Sequence, residues 1–385
     1  MDKNYDYVIV GCGFAGSVVA QRLAEEDNKV LVIDKRSHIG GNAYDYFNES
    51  GVLVHKYGPH IFHTNKKEVF EYLSKFTNWY DYSHEVVGNI KGKYIPIPFN
   101  LNSLKLTYDE EKAARLKSKL LETYGIDKKV SILELQKQED DELVELGKYI
   151  YENVFLHYTM KQWGQSPDEI DKSVIARVPV HVSYDNRYFQ DEFQGVPIDG
   201  YTKVFENLLN SKNIDVRLSE DACDVLRLTE NEVFVYEKPF DGGVIYTGAL
   251  DELMECKYGR LPYRTLDFKF ETYNENYVQP KGTVNYTIDK PYTRITEFKY
   301  LSGQKFDGVT TIVKEYSRQY TGEKNEIPYY AILNDENRKK YEKYYRDISR
   351  LKNFYIIGRL AEYKYYNMDE IVYRALKLAD EILKK

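Results

Sequence analysis

Hydrophobic positions near the start of the chain come as two short solid blocks, residues 7–10 (YVIV) and 30–33 (VLVI), with small residues at helical spacing between them. A β-branched block of that length is too short for a helix and suits a strand buried on both faces, so the opening reads strand–helix–strand. Helical period returns at 66–76, at 109–124 ahead of Gly125, and at 140–158, where Leu143, Leu146, Ile150, Val154 and Tyr158 share one face. Residues 86–98 read as a hairpin with Lys91-Gly92 at its tip, kept to a sheet edge by Pro96 and Pro98. Strand-like runs follow at 177–182 and 184–189, a helix at 202–209, and buried strands at 214–218 and 243–248. Period-two runs at 266–272, 283–288, 293–300 and 309–316 predict an antiparallel sheet. A last buried strand at 354–357 precedes a helix at 368–383, with Asn367 placed to cap it and Glu370 to complete a capping box.

The break between the first strand and the first helix is Gly11-Cys12-Gly13-Phe14-Ala15-Gly16, a G-x-G-x-x-G turn in the strand–turn–helix–strand setting that gives the motif meaning. Gly11 allows the tight turn, Gly13 lets backbone approach a pyrophosphate, and Gly16 lets the helix close on the strand. The helix N-terminus, with Phe14 and Ala15 in its first turn, offers free N–H groups to phosphate. Asp34 ends the second strand about 20 residues past the glycines, where a carboxylate accepts bonds from ribose hydroxyls and repels a 2′-phosphate. That disfavours NADP and leaves FAD and NAD. The next segment, Lys35-Arg36 and then Gly40-Gly41-Asn42, is similar to the second phosphate-approach loop of the large flavoprotein superfamily that includes amine oxidases, which favours FAD. A glycine pair in a hairpin is its plainer reading. His60 and His63 flank Ile61 in a Gly-Pro loop with no third ligand nearby, so they read as rings aimed at the cofactor and not as a metal site; no metal is expected.

These elements predict an α/β fold with three parts: a discontinuous FAD-binding Rossmann-like domain from residues 1–82, 196–250 and 340–385; a helical-bundle insertion at 101–170; and an antiparallel β-sheet domain from 83–100, 171–195 and 251–339 over the substrate site. A chain of 385 residues accommodates that division. Net charge is −7, so no global basic field recommends nucleic acid or an anionic membrane, and an anionic substrate must be met by local arginines. No apolar run is long enough to cross a bilayer, and the first strand follows the N-terminus so directly that a signal peptide is not expected. Three cysteines without metal-type spacing suit a reducing cytoplasm. Tyrosine is abundant, at 38 residues, and carries weight only inside motifs.

Several segments taken together resemble the bacterial UDP-galactopyranose mutases: GCGFAG with RSHIGGNAYD, HKYGPHIFHT, YTMKQWG, FQGVPIDGYT, VIYTG, YGRLPYRTLDF, PYTRITEFKY, KEYS with IPYY, and GRLAEYKYYNM. They run in order along nearly the whole chain. The resemblance implies noncovalent FAD, active when reduced by an external donor such as NAD(P)H that is not tightly bound. It implies a nucleotide-sugar substrate, a homodimer, and a redox-neutral ring contraction in which N5 of the reduced flavin attacks C1 and UDP departs, for cell-surface polysaccharide synthesis. By motif match Arg177 and Arg294 are the diphosphate-clamping arginines, and with His63, beside the flavin ring, they are the catalytic candidates. Tyr188, Tyr330 and Tyr365 match hydroxyl donors to the phosphates, and Tyr158 and Trp163 the uracil and ribose end, where a packed corner is the plainer reading of Trp163. Arg359 matches the flavin-side arginine. The remaining cofactor candidates are Gly11, Gly13, Phe14, Ala15, Gly16, Asp34, Lys35, Gly41, Asn42, His60, Ile61 and Met368.

The chain departs from the family pattern at Asn367, where aspartate is usual, at His84 on the sugar side, where asparagine is usual, and at Arg187 before Tyr188. A related substrate, UDP-N-acetylgalactosamine or dTDP-fucose, is therefore the alternative within the same mechanism. An amine oxidase-like oxidoreductase shares the fold but would consume oxygen or nicotinamide. A nucleotide-sugar-binding protein without catalysis would leave the flavin segments without purpose.

Overall fold

The two apolar blocks at the start of the chain become neighbouring parallel strands in a five-stranded parallel sheet. Its order is Ile214–Leu218, Val30–Asp34, Tyr7–Val10, Gly243–Tyr246 and Phe354–Ile356. The structure is a computed structural model and describes residues 4–164, 179–323 and 326–384. Side chains alternate across the sheet, so each solid run feeds two cores. Ile9, Val32 and Ile245 face the helices Phe14–Glu25, Tyr201–Leu209 and Met368–Leu383. Val8, Val10, Leu31, Ile33, Val244 and Tyr246 face the other way, toward the helix Asp335–Ile348. Each such side chain contributes about 1.5–3 kcal/mol by leaving water. The helix Phe14–Glu25 is buried along nearly its whole circumference, which explains its run of Gly, Ala and Ser.

The helical stretch holds Leu101–Thr107, Glu110–Tyr124 and Asp141–Ile150, with Asp109 capping the second through the N–H of Lys112 and Gly125 closing it at φ 83°. The helix expected over 140–158 is not uniform. It is α-helical at Asp141–Ile150, widens to a π-helix at Tyr151–Leu156, and resumes as the α-helix His157–Trp163. Asn153, Val154 and Phe155 are buried together, three in succession, which 3.6-residue spacing does not allow on one face and the wider turn does.

The alternating stretch forms a seven-stranded sheet ordered Tyr330–Ala331, Tyr263–Tyr273, Thr310–Gln319, Arg294–Glu297, Thr283–Tyr286, Val86–Ile90 and Lys93–Ile97. Contrary to expectation it is mixed: Thr283–Tyr286 lies parallel to Val86–Ile90, while the remaining pairs are antiparallel. The hairpin tip has φ 53° at Lys91 and 82° at Gly92, the two positive values a tight primed turn requires, and Lys93–Ile97 with Pro96 lies at the sheet edge. The run expected over 293–300 is a strand only at Arg294–Glu297 and turns into the short helix Phe298–Ser302. Residues 184–189 make no strand, only a single bridge from Arg187 to Glu85. The strands Pro179–Val182 and Phe193–Pro197 do not join the large sheet: the first pairs with Lys128–Ser131 and the second with Phe62–Thr64 and Trp79–Tyr80.

Candidate active site

At the turn after the first strand, Gly11 takes φ +104°, and a Cβ there would lie 1.9 Å from Thr247 Oγ1. A Cβ on Gly16 would lie 1.9 Å from the Gly11 carbonyl oxygen, so both glycines are demanded by the chain's own packing. Gly13 differs. Its φ of −87° suits any residue, and a Cβ would meet nothing nearer than Gly41 Cα at 3.7 Å. The space over Gly13 and Gly41 is thus left open, at the N-terminus of a helix with no acidic residue in its first turn. Phe14 and Ala15 begin that helix.

Asp34 is buried, and its two oxygens accept from the Cys12 N–H at 2.8 Å and the Arg36 N–H at 2.9 Å. It therefore shapes both loops as well as ending the strand. The basic side chain turned into this region is Arg36, which the residue-by-residue reading passed over in favour of Lys35. Arg36 Nη2 donates to Asn42 Oδ1 at 2.7 Å, its guanidinium lies 4.5 Å from the Tyr57 ring centroid, and Nη1 is buried with no hydrogen-bond partner. Lys35 instead pairs with Glu252 at 3.1 Å and is half exposed. A cradle that a Cβ would fill and an orphaned buried guanidinium nitrogen both fit the phosphates of a dinucleotide such as FAD.

Beyond the turn the loop with Ile61 brings His60 and His63 toward the same region. His60 Nδ1 lies 2.9 Å from the Gly58 carbonyl, and burial, then His55, pulls its pKa down to about 3. His63 stacks on Phe189 with ring centroids 3.6 Å apart, and its Nδ1 is 2.7 Å from Asp191 Oδ2. That carboxylate, which pairs also with Asn65, orients the ring and had no signature in the sequence. His84 is buried, stacks loosely on Phe189 and meets Tyr82 Oη at 3.2 Å through Nδ1. Burial, with Arg294 and His63 nearby, holds its pKa at about 3, so it is a neutral ring.

Arg294 is the electrostatic centre of the far wall. Its Nε donates to Glu315 Oε1 at 2.7 Å, and the Glu315 side chain is only 2% exposed. Burial pulls the guanidinium's pKa down, but Glu315, with Tyr158 and Tyr330, more than offsets it, and Arg294 stays charged. The phenols of Tyr158, Tyr188 and Tyr330 are raised by burial, Tyr330 to about 12, and each feels the opposing charge of Arg294. An aromatic wall continues from Trp163 to Tyr330 at 5.8 Å and to Tyr365 at 6.0 Å, over which Arg359 lies at 4.7 Å. Arg359 is fixed by donation to the Tyr366 carbonyl at 2.6 Å. Glu315 lies in the KEYS segment, but nothing in an alternating strand marks one carboxylate as the buried partner of an arginine that precedes it by some twenty residues.

One expectation is corrected. Asn367 does occupy the N-cap position, yet its side chain makes no capping bond and there is no capping box, because Glu370 pairs with Lys66 at 2.9 Å. Met368 begins that helix and packs against the core beside the parallel sheet. Arg187, a departure from the family pattern, is held by Asp185 with bonds of 2.7 to 3.1 Å. Arg177 lies outside the described residues.

A family model described as UDP-galactopyranose mutase matches residues 153–365, and one for an NAD(P)-binding Rossmann-like domain matches residues 9–76. A probable UDP-galactopyranose mutase of Klebsiella pneumoniae is 39% identical over 99% of this chain and 95% of its own length. A dTDP-fucopyranose mutase of Escherichia coli is 38% identical over 98% of both chains. Among solved structures, a reduced UDP-galactopyranose mutase superposes with a TM-score of 0.67 at 16% identity, covering 99% of this chain and 94% of that one. A putative protoporphyrinogen oxidase from Exiguobacterium follows with a TM-score of 0.62 at 12% identity, covering the whole of both chains.

Proposed function

This chain belongs to the UDP-galactopyranose mutase family, and we propose that it interconverts UDP-galactopyranose and UDP-galactofuranose with reduced FAD bound over the Gly11–Gly16 turn. The observation that carries the reading is Arg294: a charged guanidinium braced by buried Glu315 and ringed by Tyr158, Tyr188 and Tyr330, in a chain whose net charge is otherwise −7. Such a fork suits the diphosphate that must be held as the anomeric C–O bond breaks. Reduced flavin, when bound, supplies an electron-rich nucleophile to the anomeric carbon, so a pair of carboxylates is not required of the protein.

The protein's own groups bind and orient. Gly13, Gly41, the first turn with Phe14 and Ala15, and Arg36 with Asn42 take the FAD phosphates, Asp34 the ribose, and Arg359 with His60 and Ile61 the ring side. Asp191 engages Nδ1 of His63 and so fixes the ring, whose place in this reading is beside the flavin. Trp163 and Tyr158 stack against the base and ribose, Tyr330 and Tyr365 with Tyr188 donate hydroxyls to phosphate, and Arg177 is the second clamp. Residues 1–82, 196–250 and 340–385 then act as the cofactor body. No described helix is long and apolar enough to cross a membrane. On the family resemblance, we propose a cytoplasmic homodimer as the working unit, feeding polysaccharide synthesis.

Anaerobic incubation of the FAD-loaded protein, reduced with dithionite, with UDP-galactofuranose is expected to give UDP-galactopyranose by chromatography. Equal conversion with the flavin left oxidised, or no FAD uptake at all, refutes the reading. The neutral ring of His84 and the uncharged Asn367, together with the Escherichia coli relative, favour dTDP-fucose as the second substrate to compare in the same assay.

A further inference from the structure

The helix His157–Trp163 carries two substrate candidates, Tyr158 and Trp163, and between them stands Lys161, half-buried, with its amine turned onto backbone carbonyls. Lys161 Nζ donates to the carbonyl oxygens of Tyr286, of Lys290 at 3.1 Å and of Tyr292 at 3.4 Å. The first ends the strand Thr283–Tyr286, and the other two lie in the turn from it to the strand Arg294–Glu297. Among the described residues no carboxylate is bonded to the amine, and Asp289 reaches it only through its charge. Burial lowers its pKa to about 8, which still leaves most of it protonated at neutral pH. A half-buried amine that, among the described residues, bonds three backbone carbonyls costs more than a methionine of similar length would, so packing alone does not account for it.

The strand that this turn launches begins at Arg294, two residues after the last of the three carbonyls. The same end of the helix is also held by Arg264 Nε at 3.1 Å and Ser317 Oγ at 2.6 Å, both on the carbonyl of the adjacent Gln162. Helix and turn are thus tied to each other by Lys161 and to the large sheet by Arg264 and Ser317. Resting on the reading that Arg294 clamps the diphosphate, we propose that Lys161 is a positioning residue that sets the distance from Arg294 to Tyr158 and Trp163, and so fixes the spacing at which the enzyme grips a nucleoside diphosphate.

The test uses the full-length FAD-loaded protein, UDP as the probe with binding read by calorimetry, and the variants Lys161→Met, Arg294→Lys and their combination. Lys161→Met is expected to weaken UDP at least ~10-fold and to raise KM more than it lowers kcat, with FAD content and melting temperature near wild type. The combined variant should bind little worse than Arg294→Lys alone, because both losses act through the same guanidinium. UDP affinity within about twofold of wild type for Lys161→Met, or losses that multiply in the combination, overturns the proposal. Wild-type UDP affinity in Arg294→Lys instead overturns the reading of Arg294 beneath it. If Lys161→Met does not fold, Lys161→Gln replaces it, and an unchanged UDP affinity there is equally fatal.

Discussion

The pair Arg294–Glu315 joins binding to stability. Truncating Arg294 strands a carboxylate that is almost wholly out of water, and such breaks cost about 3–5 kcal/mol when fully buried. Because the Arg294 side chain keeps 28% of its exposure, we expect Arg294→Met to cost about 2–3 kcal/mol in urea unfolding, with most of it recovered in Arg294→Met/Glu315→Met. A loss below about 1 kcal/mol for the single variant rules out the burial on which this rests. His55 and His84 supply a second prediction. Burial holds their pKa values at about 4 and about 3, so the unfolded chain takes up protons below about 6.5 that the native protein refuses. Stability is then complete above pH 6.5 and falls as pH drops toward 4, by up to about 1.4 kcal/mol per pH unit for each ring. Equal unfolding free energies at pH 7 and pH 5 would contradict it.

The glycine turn separates two demands that a motif letter conflates. Gly16→Ala drives a methyl into backbone and should cost about 1–3 kcal/mol with or without cofactor. Gly13→Ala has room, so the apoprotein should unfold within about 0.5 kcal/mol of wild type while FAD affinity, followed by flavin fluorescence, falls at least ~10-fold. Undiminished flavin binding in Gly13→Ala removes the cradle assignment. This turn was legible because its setting is local: strand, glycines, helix and Asp34 lie within about 30 residues. What was not legible came from contacts between distant segments. The π-helix at Tyr151–Leu156 replaces a helix whose apolar spacing looked continuous, and the capping box at Asn367 failed because Lys66, remote in sequence, takes Glu370. Asp191 and Glu315 gained their roles only when folding set them against His63 and Arg294.

At the scale of the molecule, period alone distinguished the solid parallel strands from the alternating sheet, but pairing order lay beyond it: Val86–Ile90 beside Thr283–Tyr286 joins segments nearly two hundred positions apart, and in parallel. The sheet that carries the glycine turn is likewise gathered from the chain's beginning, middle and far end. FAD binding to the native state alone should raise the unfolding free energy by about 2.7 kcal/mol at 100 times Kd, with melting temperature climbing logarithmically with free FAD. A melting temperature indifferent to FAD concentration denies selective binding to the native state. The strand Phe354–Ile356, which extends the parallel sheet beside Gly243–Tyr246, and the helix Met368–Leu383, which packs in one core with the helix Phe14–Glu25, are made after the other described elements. Nascent chains halted before residue 354 should therefore stay colourless, and acquisition of the yellow prosthetic group should be a late act that follows synthesis instead of accompanying it.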